Sequence, residues 1–149
     1  MSGKVSTHSE VMEKVIDHAI SIYPEECCGF LYGNEIDGIV EVRMAKSMHN
    51  ERTDKRNRRF LINPEQYLEA EKFADKSGFQ LVGVYHSHPD HQAVPSQYDL
   101  EMAFPGFLYL IVSVNRSFTT DTGWWELSQD RTQFIEVKFI NKKVKEDKR

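Results

Sequence analysis

The chain has 149 residues, 40% hydrophobic and 28% charged, the size and balance of one ordinary globular domain, with no room for a second. Nineteen Lys plus Arg against twenty-three Asp plus Glu leave a formal charge of −4, so there is no overall basic field to hold a nucleic-acid backbone. No apolar run approaches the ~20 residues of a membrane helix, the first residues lack the apolar core of a secretory signal, and the only two cysteines, Cys27 and Cys28, are adjacent and cannot staple distant segments. These features lead to the expectation of a soluble, cytoplasmic protein in a reducing compartment, without nucleic-acid or membrane contact.

From Val11 to Tyr23 the apolar residues recur at helical spacing, with Thr7 and Glu10 as a capping box at the start and Pro24 as the stop. Glu26 to Gly33 (ECCGFLYG) reads as a strand. IVEVRMA, where Val40, Val42 and Met44 alternate with polar neighbours, reads as its hairpin partner across Asp37-Gly38. Lys46 to Arg59 carries six basic and two acidic residues with no apolar period and no interleaved aromatic ring. It reads as an exposed, solvated connector, with a docking surface for an acidic partner as the other reading.

Phe60 to Ile62 reads as a short strand, and Asn63, Pro64 and Gln66 then mark a clear helix start. That helix has Tyr67, Leu68, Phe73 and Ala74 on its apolar side and stops at Gly78. GFQLVGVYHSHP is a strand ended by Pro89, a short helix begins at Ser96, and Phe107 to Val114 is apolar enough for a strand buried on both faces. Strand, helix-bearing crossover and strand make a βαβ-like unit whose strands are able to lie parallel. WWELSQ and FIEVKFI suggest a closing antiparallel hairpin, with Trp124 and Trp125 on opposite faces, one in the core and one available as an exposed contact. The expected organisation is one domain over residues 1–140 and a charged, disordered tail over 141–149.

His86 and His88 stand two apart at the end of a strand and so project from one face. Asp99, eleven residues beyond His88, lies in the first turn of the helix that Ser96 caps, placed to fold back toward the strand end. Two imidazoles and one carboxylate would hold a tetrahedral Zn²⁺ with one position open, the pattern of a catalytic rather than a structural site. Such a site makes a nucleophile of water at neutral pH and needs a nearby carboxylate, itself not a ligand, to move the proton. On spacing alone Glu25, Glu26 and Glu101 are all open for that task. Each element also has a plainer reading: histidines that pack, a Ser96–Asp99 helix cap, a carboxylate at a strand edge.

The string HSHPDHQAVPSQYD from His86 to Asp99 resembles the JAMM (MPN-plus) metalloprotease signature: His-x-His-Pro, six residues, Ser, two residues, Asp. PEECCGFLYG resembles the family's N-terminal strand, where a glutamate stands three residues before a glycine. That register selects Glu26, three before Gly29. The resemblance spans the chain from the first helix to about Ile140 and implies an α/β (α+β) fold, a curved mixed sheet sandwiched by helices in a cytidine deaminase-like layout. It further implies Zn²⁺ held by His86, His88 and Asp99, Glu26 carrying the proton from water to the leaving amine, and Ser96 donating a hydrogen bond to the oxyanion. Capping and catalysis then compete for the Ser96 hydroxyl. His91 matches no ligand position and is expected at the rim.

The family's substrates are peptide or isopeptide bonds after the C-terminal Gly-Gly of ubiquitin-like proteins. The chain is similar to free-standing prokaryotic members, some of which process ubiquitin-like sulfur carrier proteins, so a Gly-Gly-tailed carrier is the implied partner. An exposed strand edge beside the site would hold its tail. The oligomeric state is left open. The main alternative is a non-catalytic MPN-type interaction module, although every motif position is intact here. A zinc deaminase is opposed by the absence of PCxxC, since the only two cysteines are adjacent. A DNA-repair module is opposed by the acidic balance, and a cell-wall peptidase has no wall-binding segment to support it. Cys27 and Cys28 are expected to be buried packing residues rather than nucleophiles.

Overall fold

An eight-stranded mixed sheet organises the chain, whose computed structural model describes residues 3–50, 52 and 60–140. In chain order the elements are β1 (Lys4–Thr7), α1 (Ser9–Ile22), β2 (Cys28–Ile36), β3 (Ile39–Met48), α2 (Pro64–Ser77), β4 (Gln80–Pro89), α3 (Gln97–Met102), β5 (Leu108–Val114), β6 (Thr120–Leu127), β7 (Phe134–Glu136) and β8 (Lys138–Phe139). The strand order is β7-β6-β5-β4-β2-β3-β1-β8. β4 and β5 are parallel, as are β1 with β3 and β1 with β8, and the other neighbours are antiparallel. β7 and β8 flank Val137 in sequence yet stand at opposite ends of this order, so the sheet curves until its two edges nearly meet. Val137 N donates to Trp124 O of β6, and Lys138 N donates to Gly3 O beside β1.

Period-two alternation divides the core. Cys27, Leu31, Tyr85, Leu110 and Val112 pack with Val11, Val15 and Ala19 of α1, while Cys28, Phe30, Tyr32, Val84 and Tyr109 pack with Ala70 and Ala74 of α2. Each fully buried Val, Leu or Phe among them contributes about 1.5–3 kcal/mol, and each alanine methyl less. The helices thus lie on the two faces of the sheet, as the family resemblance implies. Gly29 is opposite Tyr85, whose ring lies over it: a Cβ there would stand 2.3 Å from Tyr85 Cε2 and 2.6 Å from Lys46 O. The ring is held in that place by its hydroxyl, 2.7 Å from His18 Nδ1 on α1.

The α2 start is as read from sequence, with an Asn63–Gln66 capping box and Gly78 in the left-handed region at the C-terminal end (φ 83°). The α1 start is not: His8 is the N-cap and makes no side-chain cap, because Thr7 is taken up as the last residue of β1. β1 itself was unforeseen, since four residues with two apolar members carry too little pattern to announce a strand. Phe60–Ile62 forms no strand, and β3 runs on to Met48, so the basic stretch begins inside a strand rather than as a loop at Lys46. Residues 51 and 53–59 of that stretch, and the 141–149 tail, lie outside the described residues. FIEVKFI is divided: Phe134–Glu136 pairs with β6 as expected, but Lys138–Phe139 crosses to β1. Trp124 is buried as expected of one of the pair. Trp125 is not an exposed contact but half-buried, its indole Nε1 donating to Ala93 O at 3.2 Å.

Candidate metal centre

The site forms where β4 runs out. Pairing of Cys28 with His86 and of His86 with Ile111 places β4 between β2 and β5, so its side chains are enclosed from both sides within the sheet plane. His86 and His88 fall on the face that carries Val84 and packs toward α2. After Pro89 the chain turns at Asp90, which has φ 62° and donates its N–H to Val114 O at 2.8 Å. The following loop, pinned by Trp125 at Ala93, delivers Ser96 as the N-cap of α3.

α3 begins with a reciprocal capping box: Asp99 N donates to Ser96 Oγ at 3.0 Å and Ser96 N donates to Asp99 Oδ2 at 2.9 Å. The cap fixes the Asp99 rotamer and turns its carboxylate back onto the strand end. Oδ2 then lies 3.0 Å from His88 Nε2 and 3.2 Å from His86 Nε2, and the two Nε2 atoms are 3.2 Å apart. All three residues are buried.

This triangle fits a tetrahedral cation. Ligand atoms about 2.0–2.1 Å from a zinc ion stand roughly 3.3 Å from one another, close to the edges seen here. The hydrogen bonding points the same way. His88 Nδ1 lies 2.9 Å from the Gln92 carbonyl, an acceptor only, so Nδ1 carries the proton. In the neutral ring Nε2 is then a bare lone pair aimed at a carboxylate oxygen, and only a proton or a metal ion reconciles the two. The protonation tendencies express the same demand. Burial opposes ionisation of Asp99, but His86 and His88 beside it outweigh burial and hold the carboxyl well below the usual carboxylate range. Burial lowers His88, yet the Asp99 contact and charge, with the Gln92 carbonyl, leave it raised. Among the described residues this is the one group of three or more His, Cys, Asp or Glu side chains that meet closely enough to hold a metal.

Glu26 comes from a different part of the sheet. Just before β2, Cys27 accepts from Ser87 N at 3.1 Å and donates its own N–H to Ser87 Oγ at 2.8 Å, which extends the β2–β4 pairing to the residue next to Glu26. Glu26 is 4% exposed and lines a cleft of about 520 Å³ together with His88, His91 and Ser96. His91 is exposed there, at the rim as expected. The structure also resolves the double demand on Ser96. Its oxygen accepts in the cap, while its hydroxyl hydrogen has no acceptor among the described residues and the side chain is exposed. Glu25 and Glu101 do not line this cleft.

On the other side of the triad His86 and Asp99 border a second, apolar cavity of about 600 Å³, lined also by Phe60, Tyr67, Phe104 and Phe107. Sequence reasoning missed several residues that brace the site. Asn50, in the stretch read as a solvated connector, is buried; its Nδ2 donates to Glu26 O at 3.2 Å, and its Oδ1 accepts from Leu61 N at 3.0 Å. Tyr98 donates to Phe60 O at 3.2 Å, and Phe60 stacks on His86. A lone Asn or Phe beside a charged run carries no periodic signal that would have revealed them. Cys27 and Cys28 are both buried thiols, as expected, and burial pushes Cys27 up to about 12.

Residues 8–127 match the family described as prokaryotic homologs of the JAB domain. The chain belongs to this family. It is 30% identical over 123 residues to a desampylase of Haloferax volcanii, covering 79% of this chain and 86% of that protein. It is 36% identical over 110 residues to the Lys-63-specific deubiquitinase BRCC36 of Xenopus laevis, covering 66% of this chain and 42% of that protein. A solution structure of a Desulfitobacterium hafniense protein superposes with a TM-score of 0.80 at 28% identity, covering 94% of both chains. The JAB-type fold is therefore shared along nearly the whole length of that neighbour.

Proposed function

We propose that this chain is a zinc-dependent peptidase or isopeptidase that cuts after the C-terminal Gly-Gly of a ubiquitin-like protein of the sulfur carrier class, in the cytoplasm. The observation that carries the reading is the meeting of His86, His88 and Asp99 at 3.0–3.2 Å, with Glu26 and Ser96 opening onto the cleft beside them. His86, His88 and Asp99 would hold the ion. When bound, zinc supplies a Lewis acid that polarises a carbonyl and acidifies water at neutral pH.

The chain's own residues supply the rest. Glu26, buried at the cleft wall, takes a proton from the attacking water and returns it to the departing amine. Ser96 turns its unused hydroxyl hydrogen toward the oxygen on which charge develops. Gln92 holds His88 in the tautomer that leaves Nε2 available. A diglycine tail suits a narrow cleft because it brings no Cβ to the approach. The 30% identity to a desampylase, over 86% of that protein, supports a ubiquitin-like modifier or carrier protein as substrate.

The test is cleavage of a fusion that places a reporter after the Gly-Gly of a sulfur carrier, with and without chelator. Cleavage after the second glycine, abolished by chelation and restored by zinc, is the expected result. Inertness toward every such carrier removes the substrate assignment, and chelator-insensitive cleavage removes the metal.

A further inference from the structure

We infer that Phe60 is a positioning residue for the metal centre: its ring, stacked on the His86 imidazole, fixes the orientation of a ligand whose second nitrogen, Nδ1, no hydrogen bond holds among the described residues. The inference rests on the reading of His86 as a metal ligand. The two histidines are held by different means. His88 is locked through Nδ1 to the Gln92 carbonyl at 2.9 Å. His86 is 1% exposed, and its Nδ1 has no hydrogen-bond partner among the described residues. A ligand imidazole normally owes its ring orientation to a bond at the second nitrogen, because rotation about χ2 is otherwise soft.

Phe60 fills that role by contact. Its ring centroid lies 4.5 Å from that of His86, with the planes 24° apart, so one face of the imidazole is covered and a turn out of plane drives the ring edge into the phenyl face. Phe60 is itself anchored. Its carbonyl accepts from the hydroxyl of Tyr98, the residue before Asp99 on α3, at 3.2 Å. The next residue, Leu61, donates to Asn50 Oδ1, and Asn50 Nδ2 donates to Glu26 O. The segment that steadies His86 is thereby tied to the helix that carries Asp99 and to the backbone of Glu26, so ligands and proposed base share one brace. The phenyl face also keeps one side of His86 dry where it borders the apolar cavity.

The experiment is zinc titration of the metal-free protein against a chromophoric chelator, for wild type, Phe60→Leu and Phe60→Tyr, with melting curves of the metal-free forms. Phe60→Leu keeps apolar volume but loses the flat face, and it is expected to weaken zinc about tenfold or more while remaining folded. Phe60→Tyr keeps the stack and is expected to restore most of the affinity. Undiminished affinity in Phe60→Leu, or equal loss in both variants, overturns the inference. A wild type that binds no zinc overturns the ligand reading instead. A second measurement does not depend on the variants folding: in metal-free wild type the His86 ring protons are expected upfield from the Phe60 ring current, and unshifted protons overturn the stack.

Discussion

Ser96 and Asp99 hold each other through two hydrogen bonds at the start of α3, Asp99 N to Ser96 Oγ at 3.0 Å and Ser96 N to Asp99 Oδ2 at 2.9 Å. The same pair therefore starts the helix and aims a ligand atom, and only the Ser96 hydroxyl hydrogen is left over for a substrate. Ser96→Ala is expected to lose about 1 kcal/mol of stability through the cap and roughly 10²–10³-fold in kcat through the missing donor. Ser96→Thr keeps both functions. Denaturant melts and turnover measured side by side check the split, and an alanine variant that loses only stability removes the oxyanion role.

Metal content follows from the triangle. Purified protein is expected to carry near-stoichiometric zinc by elemental analysis, and His86→Ala to carry essentially none, since two remaining donors no longer define a tetrahedral face. Absence of metal from the wild type would show that the triad is held by protons alone.

Glu26→Gln conserves shape and removes the basic oxygen. Zinc content is expected to stay unchanged while turnover falls at least ~10²-fold, the usual contribution of a positioned general base. Unchanged turnover would pass the proton-transfer role to another group.

Gly29→Ala places a methyl 2.6 Å from Lys46 O and 2.3 Å from the Tyr85 ring. The ring is held by His18 and the carbonyl belongs to the sheet, so neither yields cheaply. A loss of about 2–3 kcal/mol or more is expected in urea unfolding, against a near-neutral outcome if the sheet opens there.

Cys27 and Cys28 are buried, and Cys27 is pushed up to about 12, because burial disfavours its thiolate and the nearby Glu26 adds to that. Neither thiol is expected to react with iodoacetamide at pH 8 in the folded protein, and both are expected to react in urea. Rapid labelling of the native form would contradict the burial and reopen a chemical role for the pair.

The elements with a long, regular pattern were readable from residues alone: α1 by its apolar stripe, α2 by Asn63, Pro64 and Gly78, and the parallel β4–α3–β5 unit by its two apolar strands around a capped turn. The edges were not. β1 has four residues, and the division of FIEVKFI at Val137 depends on two partners far away in sequence. The same contrast runs through the site. His86, His88 and Asp99 fall within fourteen residues, and strand alternation plus a capping box suffice to converge them, so local rules predicted their meeting. Glu26 was chosen by family register, and its place in the cleft comes from the β2–β4 pairing carried through Cys27 and Ser87.

What the amino-acid order determined by itself is the chemistry on offer: donor types, their spacing and a capped helix to carry one of them. Only the tertiary structure decided which carboxylate faces the cleft, that Asn50 is buried against the Glu26 backbone rather than solvated in a connector, that Phe60 stacks on His86, and that the sheet bends until β7 and β8 are one residue apart. The physical reason is range. Capping and alternation act over a few residues and leave a mark in the sequence, whereas strand pairing and ring stacking join segments whose separation along the chain carries no local signal.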